Sequence, residues 1–220
     1  MACSSVNTIT VQSDTQAVVE TSSELNRIDS IVMPYKSELE AEMLEEIAIA
    51  EKNFERGRPN GALNNWSTDA VHHFFKSQTE GDIVGFVLLN FGGLRNTINQ
   101  GSVSLGDIFK VMPFDNEVVF VEMPISTREE IASYLIDRGG EPIGGATIDN
   151  GQLNFVGFED DSETFWIATS DYLMNGGDNM TFFEKKVSVV RPGVLLRDVF
   201  IEAAKRQGTL EWSDEERIKL

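Results

Sequence analysis

From Asp82 to Leu89 the chain reads Asp-Ile-Val-Gly-Phe-Val-Leu-Leu, a near-continuous apolar run of strand length with no polar alternation. A strand of this composition is buried on both faces, which places it inside a layered structure rather than at a solvent-facing sheet. The run stops abruptly at Asn90-Phe91-Gly92-Gly93-Leu94-Arg95. Two adjacent glycines allow backbone angles closed to other residues and let the main chain approach a bound molecule closely. Arg95 adds five donors in a fixed fork suited to a phosphate or carboxylate. The polar loop at the end of this strand is therefore the first candidate binding site.

Further blocks follow in order. Ile98, Gly101, Val103, Ser104, Gly106 and Asp107 lead into Pro113-Phe114-Asp115-Asn116, with Leu63-Asn64-Asn65-Trp66-Ser67-Thr68-Asp69-Ala70 upstream. Asp171-Tyr172-Leu173-Met174-Asn175-Gly176-Gly177-Asp178 and Gly193 to Phe200 lie downstream. Taken together, over about residues 55 to 220, these blocks resemble the C-terminal, substrate-recognition domain of the 5′-nucleotidases. Its motifs are N-x-G-G-[I/L]-R, I-x-x-G-x-[I/V]-[S/T]-x-[G/A]-[D/E], P-F-x-N, L-x-N-x-x-x-D-A and D-[F/Y]-L-x-x-G-G-D, followed by a final helix.

The resemblance implies a layered α/β/β/α sandwich with mixed sheets, within the α+β class, and recognition of a nucleoside or nucleotide. In the family the base lies between two aromatic rings. Phe114 matches the first, while Met180 stands where the second belongs, with Phe182 and Phe183 close by. Lys186 occupies the position of the acidic residue that holds the ribose, and Pro59 that of a substrate arginine, with Arg58 beside it. By the same carry-over Asn90 and Asn116 reach the base edge, Arg95 reaches the phosphate or ribose side, and Gly145 lines the base pocket. Gly92, Gly93, Gly177, Asp178, Met180 and Phe182 complete the implied substrate-binding set. Read from local chemistry alone, the glycines are turn formers, Asp107 is a helix cap, and Asp171 and Asp178 are turn caps.

Hydrolysis in this family belongs to a calcineurin-like phosphoesterase domain carrying two metal ions. The chain is therefore expected to be a 5′-nucleotidase-related binding domain or subunit that does not catalyse alone. It needs no cofactor of its own, divalent metals being expected only in a separately encoded metallophosphoesterase partner. The alternative is a stand-alone lipoprotein that binds a small ligand without turnover. An independent hydrolase lacks an evident Ser, His and Asp arrangement.

Charge and composition narrow the classes further. The 220 residues carry 18 Lys and Arg against 36 Asp and Glu, a net charge of −18, which repels nucleic-acid backbones and anionic membrane surfaces. The single cysteine, Cys3, forms no intramolecular disulfide and builds no thiolate metal cluster. The two histidines, His72 and His73, are adjacent; on a helix they point roughly 100° apart and are poorly placed to share one ion. No stretch reaches the roughly 18 apolar residues of a membrane helix. Ala2-Cys3-Ser4-Ser5 looks like a bacterial lipoprotein junction, in which Cys3 is the lipidated residue, or else an ordinary N-terminal stretch. With a family that is mostly extracytoplasmic, this implies the cell envelope or periplasm.

Along the chain, residues 1–30 read as a flexible segment or linker with β-like runs at Thr8 to Val11 and Ala17 to Val19, and residues 31–220 as one domain. Within it, Pro34 opens an amphipathic helix carrying Leu39, Met43, Ile47 and Phe54, and a second helix from about Leu63 buries Trp66, Ala70 and Phe74. Ser104-x-x-Asp107 is a capping box for a short helix through Val111. Glu117 to Met123 alternates as a strand, Ser126-x-x-Glu129 opens a helix stopped by Gly139-Gly140, and Asp149-Asn150-Gly151 is a hairpin turn. Strands at Phe165 to Thr169 and Val187 to Val190 precede a last helix starting at Pro192.

Overall fold

The computed structural model describes residues 22–79, 85–155 and 162–220. Cys3, the β-like runs near the N-terminus and residues 82–84 of the apolar run lie outside them. Two compact units are present, Met1–Glu40 and Ala41–Leu220. In the first, the described residues belong to helix α1 (Ser22–Met43), with Ile31, Tyr35 and Leu39 exposed. Pro34 sits inside this helix rather than at its start. The expected helix across Met43, Ile47 and Phe54 ends at Met43. Ile47 belongs instead to strand β1 (Glu46–Ala50), and Phe54 makes an isolated bridge to Ile98. The four-residue spacing from Leu39 through Met43 to Ile47 fits a helix and is also compatible with a period of two, and pairing with β3 (Gly101–Ser104) decides for the strand at Ile47.

In the second unit the sequence folds as α+β around one mixed, five-stranded sheet. Its order is β5 (Ile143–Gly144), β2 (Gly85–Leu88), β8 (Thr164–Ser170), β4 (Val118–Pro124) and β9 (Ser188–Val190). β2 runs parallel to β8, while β5, β4 and β9 are antiparallel to their neighbours. Alternate residues of the central strands feed two separate cores. Val87, Val118, Phe120 and Ala168 meet helices α2 (Ala62–Gln78) and α6 (Leu196–Gln207), the β1–β3 ladder and α3 (Leu105–Val111). Phe86, Leu88, Val119, Val121, Phe165 and Ile167 meet α4 (Arg128–Asp137) and the hairpin of β6 (Ala146–Asp149) and β7 (Gln152–Phe155). Because both faces are covered, β4 buries Val118 to Val121 without a gap, in place of the one solvent face that alternation suggested.

Local signals act where they were read. Ser104 accepts from the Asp107 amide and Asp107 returns the bond, a complete capping box at the start of α3. Burial pushes the Asp107 carboxyl up, but the Ser104 donors and Lys110 outweigh it and hold the group below its ordinary value. Asn150 and Gly151 take the left-handed angles of a tight hairpin, and Gly139 and Gly140 end α4 at positive φ. Two starts and one face differ. α4 opens from a short 3-10 turn (Ile125–Thr127) without a side-chain cap from Ser126. α6 begins at Leu196, four residues after Pro192, because Val194 and Leu195 first pair with Val118 and Glu117. In α2 the fully buried ring is Phe75, with Phe74 only half-buried.

Candidate functional site

The parallel strands β2 and β8 end at the same edge of the sheet at which the antiparallel β4 begins, since Val118 is opposite Ser170 and Val87 opposite Ala168. Three loops therefore leave one end of the sheet side by side, the arrangement in which strand-end loops gather a ligand. Between them lies a cavity of about 290 Å³ lined by Asn90, Gly92, Gly93, Arg95, Phe114, Asn116, Tyr172 and Asp178. Seven of those eight were expected from the sequence; Tyr172 was not.

The first wall, Asn90 to Arg95, is held from below by a buried carboxylate. Glu141, whose side chain is fully buried, accepts from the Phe91 amide at 2.6 Å, from Arg58 at 2.6 Å and from Arg138 at 3.4 Å. Three donors satisfy a charge that would otherwise be costly to bury. The guanidinium groups of Arg56 and Arg58 lie 4.7 and 4.8 Å from the centre of the Phe91 ring, and Arg56 also donates to the Leu94 carbonyl at 2.7 Å. Arg58 is thus engaged under the loop, outside the cavity. Arg95 is exposed and lies 5.8 Å from the Phe114 ring centre, and it donates to the Gly92 carbonyl at 3.2 Å. Among the described residues it has no carboxylate partner, in a chain with an excess of acidic residues.

The second wall, Pro113 to Asn116, is fastened by α6. Arg197, nearly buried, donates to the carbonyls of Met112 and Phe114 at 3.4 and 3.3 Å and to the Asp115 carboxylate at 2.5 Å, and its guanidinium lies over the Phe109 ring. The Leu196 amide donates to the Asn116 carbonyl at 2.8 Å. The Phe114 ring is left 40% exposed beside the cavity.

The third wall follows β8. Ser170 caps the short helix α5 (Asp171–Met174), and Asp171 accepts from the amides of Glu117 and Tyr172, tying this wall to the second. Gly176, at φ 90°, then turns the chain back. Gly177 lies directly beneath the Tyr172 ring: a Cβ there would stand 2.4 Å from it. Asp178, in the left-handed region at φ 52°, accepts from the Asn90 side-chain amide at 2.6 Å and from the Tyr172 hydroxyl at 3.1 Å. Its own carbonyl accepts from Tyr134 at 2.8 Å, whose hydroxyl is pushed up by burial and stays a donor.

Four expected residues are absent from the cavity lining: Gly177 backs the Tyr172 ring, and the other three stand further away. Met180 is fully buried and Phe182 is 2% exposed, both in the core against α4, with the Phe182 ring edge-on to Tyr134 at 5.5 Å. Consecutive left-handed residues, Asp178 and Asn179, turn the chain inward ahead of them. Gly145 lies against α2: a Cβ there would stand 2.8 Å from the His72 imidazole, whose pKa is lowered mainly by burial and then by Lys76. Lys186 is exposed at the end of the Thr181–Lys185 turn and is absent from the cavity lining. Among the described residues no group of three or more His, Cys, Asp or Glu side chains is placed to hold a metal ion, and no helix is long and apolar enough to cross a membrane.

Residues 41–124 match the family described as 5′-nucleotidase, C-terminal domain. UshA of Escherichia coli (strain K12) is 23% identical over 198 residues, covering 84% of this chain and 35% of that protein. Among solved structures, a 5′-nucleotidase precursor from Thermus thermophilus superposes with a TM-score of 0.68 at 20% identity, over 88% of this chain and 43% of that one. The NAD nucleotidase NadN of Haemophilus influenzae gives 0.64 at 18% identity, over 88% and 41%. The chain thus spans about a third of the curated relative and less than half of either solved structure. At these identities the solved structures establish the fold.

Proposed function

We propose that this chain, whose residues 41–124 match the family described as 5′-nucleotidase, C-terminal domain, recognises a nucleoside or nucleotide and presents it for hydrolysis by a separately encoded metallophosphoesterase. The observation that carries the reading is the convergence of two exposed aromatic rings, two asparagines and an arginine without a carboxylate partner among the described residues on one cavity. Phe114 and Tyr172 supply flat apolar faces for a base, at roughly 1–3 kcal/mol for each stacked ring. Asn90 and Asn116 meet its edge, and Arg95 gives a local positive charge for a phosphate in an otherwise acidic protein. We assign the two-metal chemistry to the partner on the histidine count: a di-metal centre uses several His and Asp ligands, and this sequence has two histidines, adjacent at His72 and His73. A location in the cell envelope, with Cys3 as the lipid-bearing residue, belongs to the same proposal and rests on Ala2-Cys3-Ser4-Ser5.

Calorimetric titration of adenosine and AMP into the purified chain tests it. Both are expected to bind, and Phe114→Ala to weaken them by about 5- to 150-fold, the loss of one stacking face. A chain that takes up neither ligand at millimolar concentration does not have this function.

A further inference from the structure

One carboxylate serves two walls of the cavity. Asp178 accepts from the Tyr172 hydroxyl through Oδ1 and from the Asn90 amide through Oδ2. A carboxylate only accepts hydrogen bonds, so the Asn90 atom 2.6 Å away has to be the nitrogen, and the usual ambiguity between the two ends of an asparagine amide is removed. The other end, Oδ1, lies against Gly93, itself a lining residue: a Cβ there would stand 2.5 Å from it. No described residue donates a hydrogen bond to that oxygen. The second asparagine of the lining, Asn116, has no side-chain partner among the described residues and is free to present either end.

We infer that Asp178 sets the polarity of the cavity, turning Asn90 so that a carbonyl oxygen faces the ligand and selecting flat heterocycles that carry an N–H donor on their edge. The inference rests on the proposed nucleoside reading and sharpens it to ligands such as adenosine, with its exocyclic amino group. Purine riboside has the same ring and sugar but offers only acceptors along that edge, so it leaves the Asn90 oxygen without a partner. An unsatisfied polar group in a partly enclosed site carries a penalty that corresponds to about 5- to 150-fold in affinity. Asp178 is a positioning residue in this scheme, and Asn90 makes the contact.

Calorimetry of adenosine and purine riboside on the unaltered chain is the primary test. Adenosine is expected to bind at least about 5-fold tighter. Equal binding of the two overturns the inference while leaving nucleoside recognition in place; binding of neither overturns both. Asp178→Asn is the second arm, because asparagine tolerates the left-handed backbone at this position. Its amide accepts from or donates to Asn90, freeing either orientation, and the adenosine preference is expected to fall below about 3-fold. A preference unchanged in Asp178→Asn removes the role from Asp178. The comparison on the unaltered chain stands even if that variant folds poorly.

Discussion

Phe114 and Tyr172 stand at the cavity with 40% and 46% of their surface exposed, whereas Phe182 and Phe183, further along the same segment, are 2% and 0% exposed, their ring centres 4.7 Å apart in the core. All four are aromatic and all four lie in or near blocks that read as a binding site. The backbone separates them. Gly176, Asp178 and Asn179 hold positive φ in close succession, so the chain reverses after Tyr172 and carries Met180, Phe182 and Phe183 beneath α4. Aromatic identity near a motif therefore says little about whether a ring meets ligand or core, because the turn between them decides.

The sharpest break in this comparison comes from Phe183→Ala. Emptying a fully buried ring site is expected to cost about 3–5 kcal/mol, read by urea denaturation, against a near-neutral effect for the same change at exposed Phe114. Equal losses at the two positions would erase the distinction between core and cavity rings. Next in size is Met180→Phe. It installs the ring that the family motif calls for, but in a filled core rather than at the cavity, so it is expected to destabilise by about 1–3 kcal/mol and leave adenosine affinity unchanged. Tighter binding in this variant would return position 180 to the site. The smallest effect is expected from Gly177→Ala. Its methyl group displaces the Tyr172 ring, weakening adenosine by about 2- to 10-fold, roughly one well-made contact, with stability altered by only about 0.5 kcal/mol because the ring is free to swing into solvent. Unchanged affinity would show that Tyr172 is no part of the recognition surface.

Much of the scaffold was legible because its signals are local. The capping box at Ser104 and Asp107, the Asn150-Gly151 hairpin and the Gly139-Gly140 stop each depend on a few adjacent residues and a single backbone geometry. The loop of Asn90, Gly92, Gly93 and Arg95 was legible from its place at the end of an apolar strand, and Phe114 and Asn116 through the resemblance to the family's P-F-x-N motif. Misplaced elements depend on distant partners. Ile47 becomes a strand residue through β3, and α6 starts late because Val194 and Leu195 answer to the edge of β4. Tyr172 stands in the sequence only as one member of the D-[F/Y]-L-x-x-G-G-D block, with nothing local to aim its ring; the Cβ-free surface of Gly177 and the reach of Asp178 bring that ring to the cavity.

The shared carboxylate of Asp178 also limits how such a cavity can evolve. A substitution that removed both of its side-chain acceptors would release the Asn90 amide and the Tyr172 hydroxyl together, so ligand preference and wall geometry would shift in one mutational step. Drift toward a new ligand would have to pass through a chain in which both are loosened, or acquire compensating changes at positions 90 and 172 first. Sequences that depart from aspartate at this position are therefore expected to depart at those two as well, a pattern of covariation that a comparison of relatives can look for.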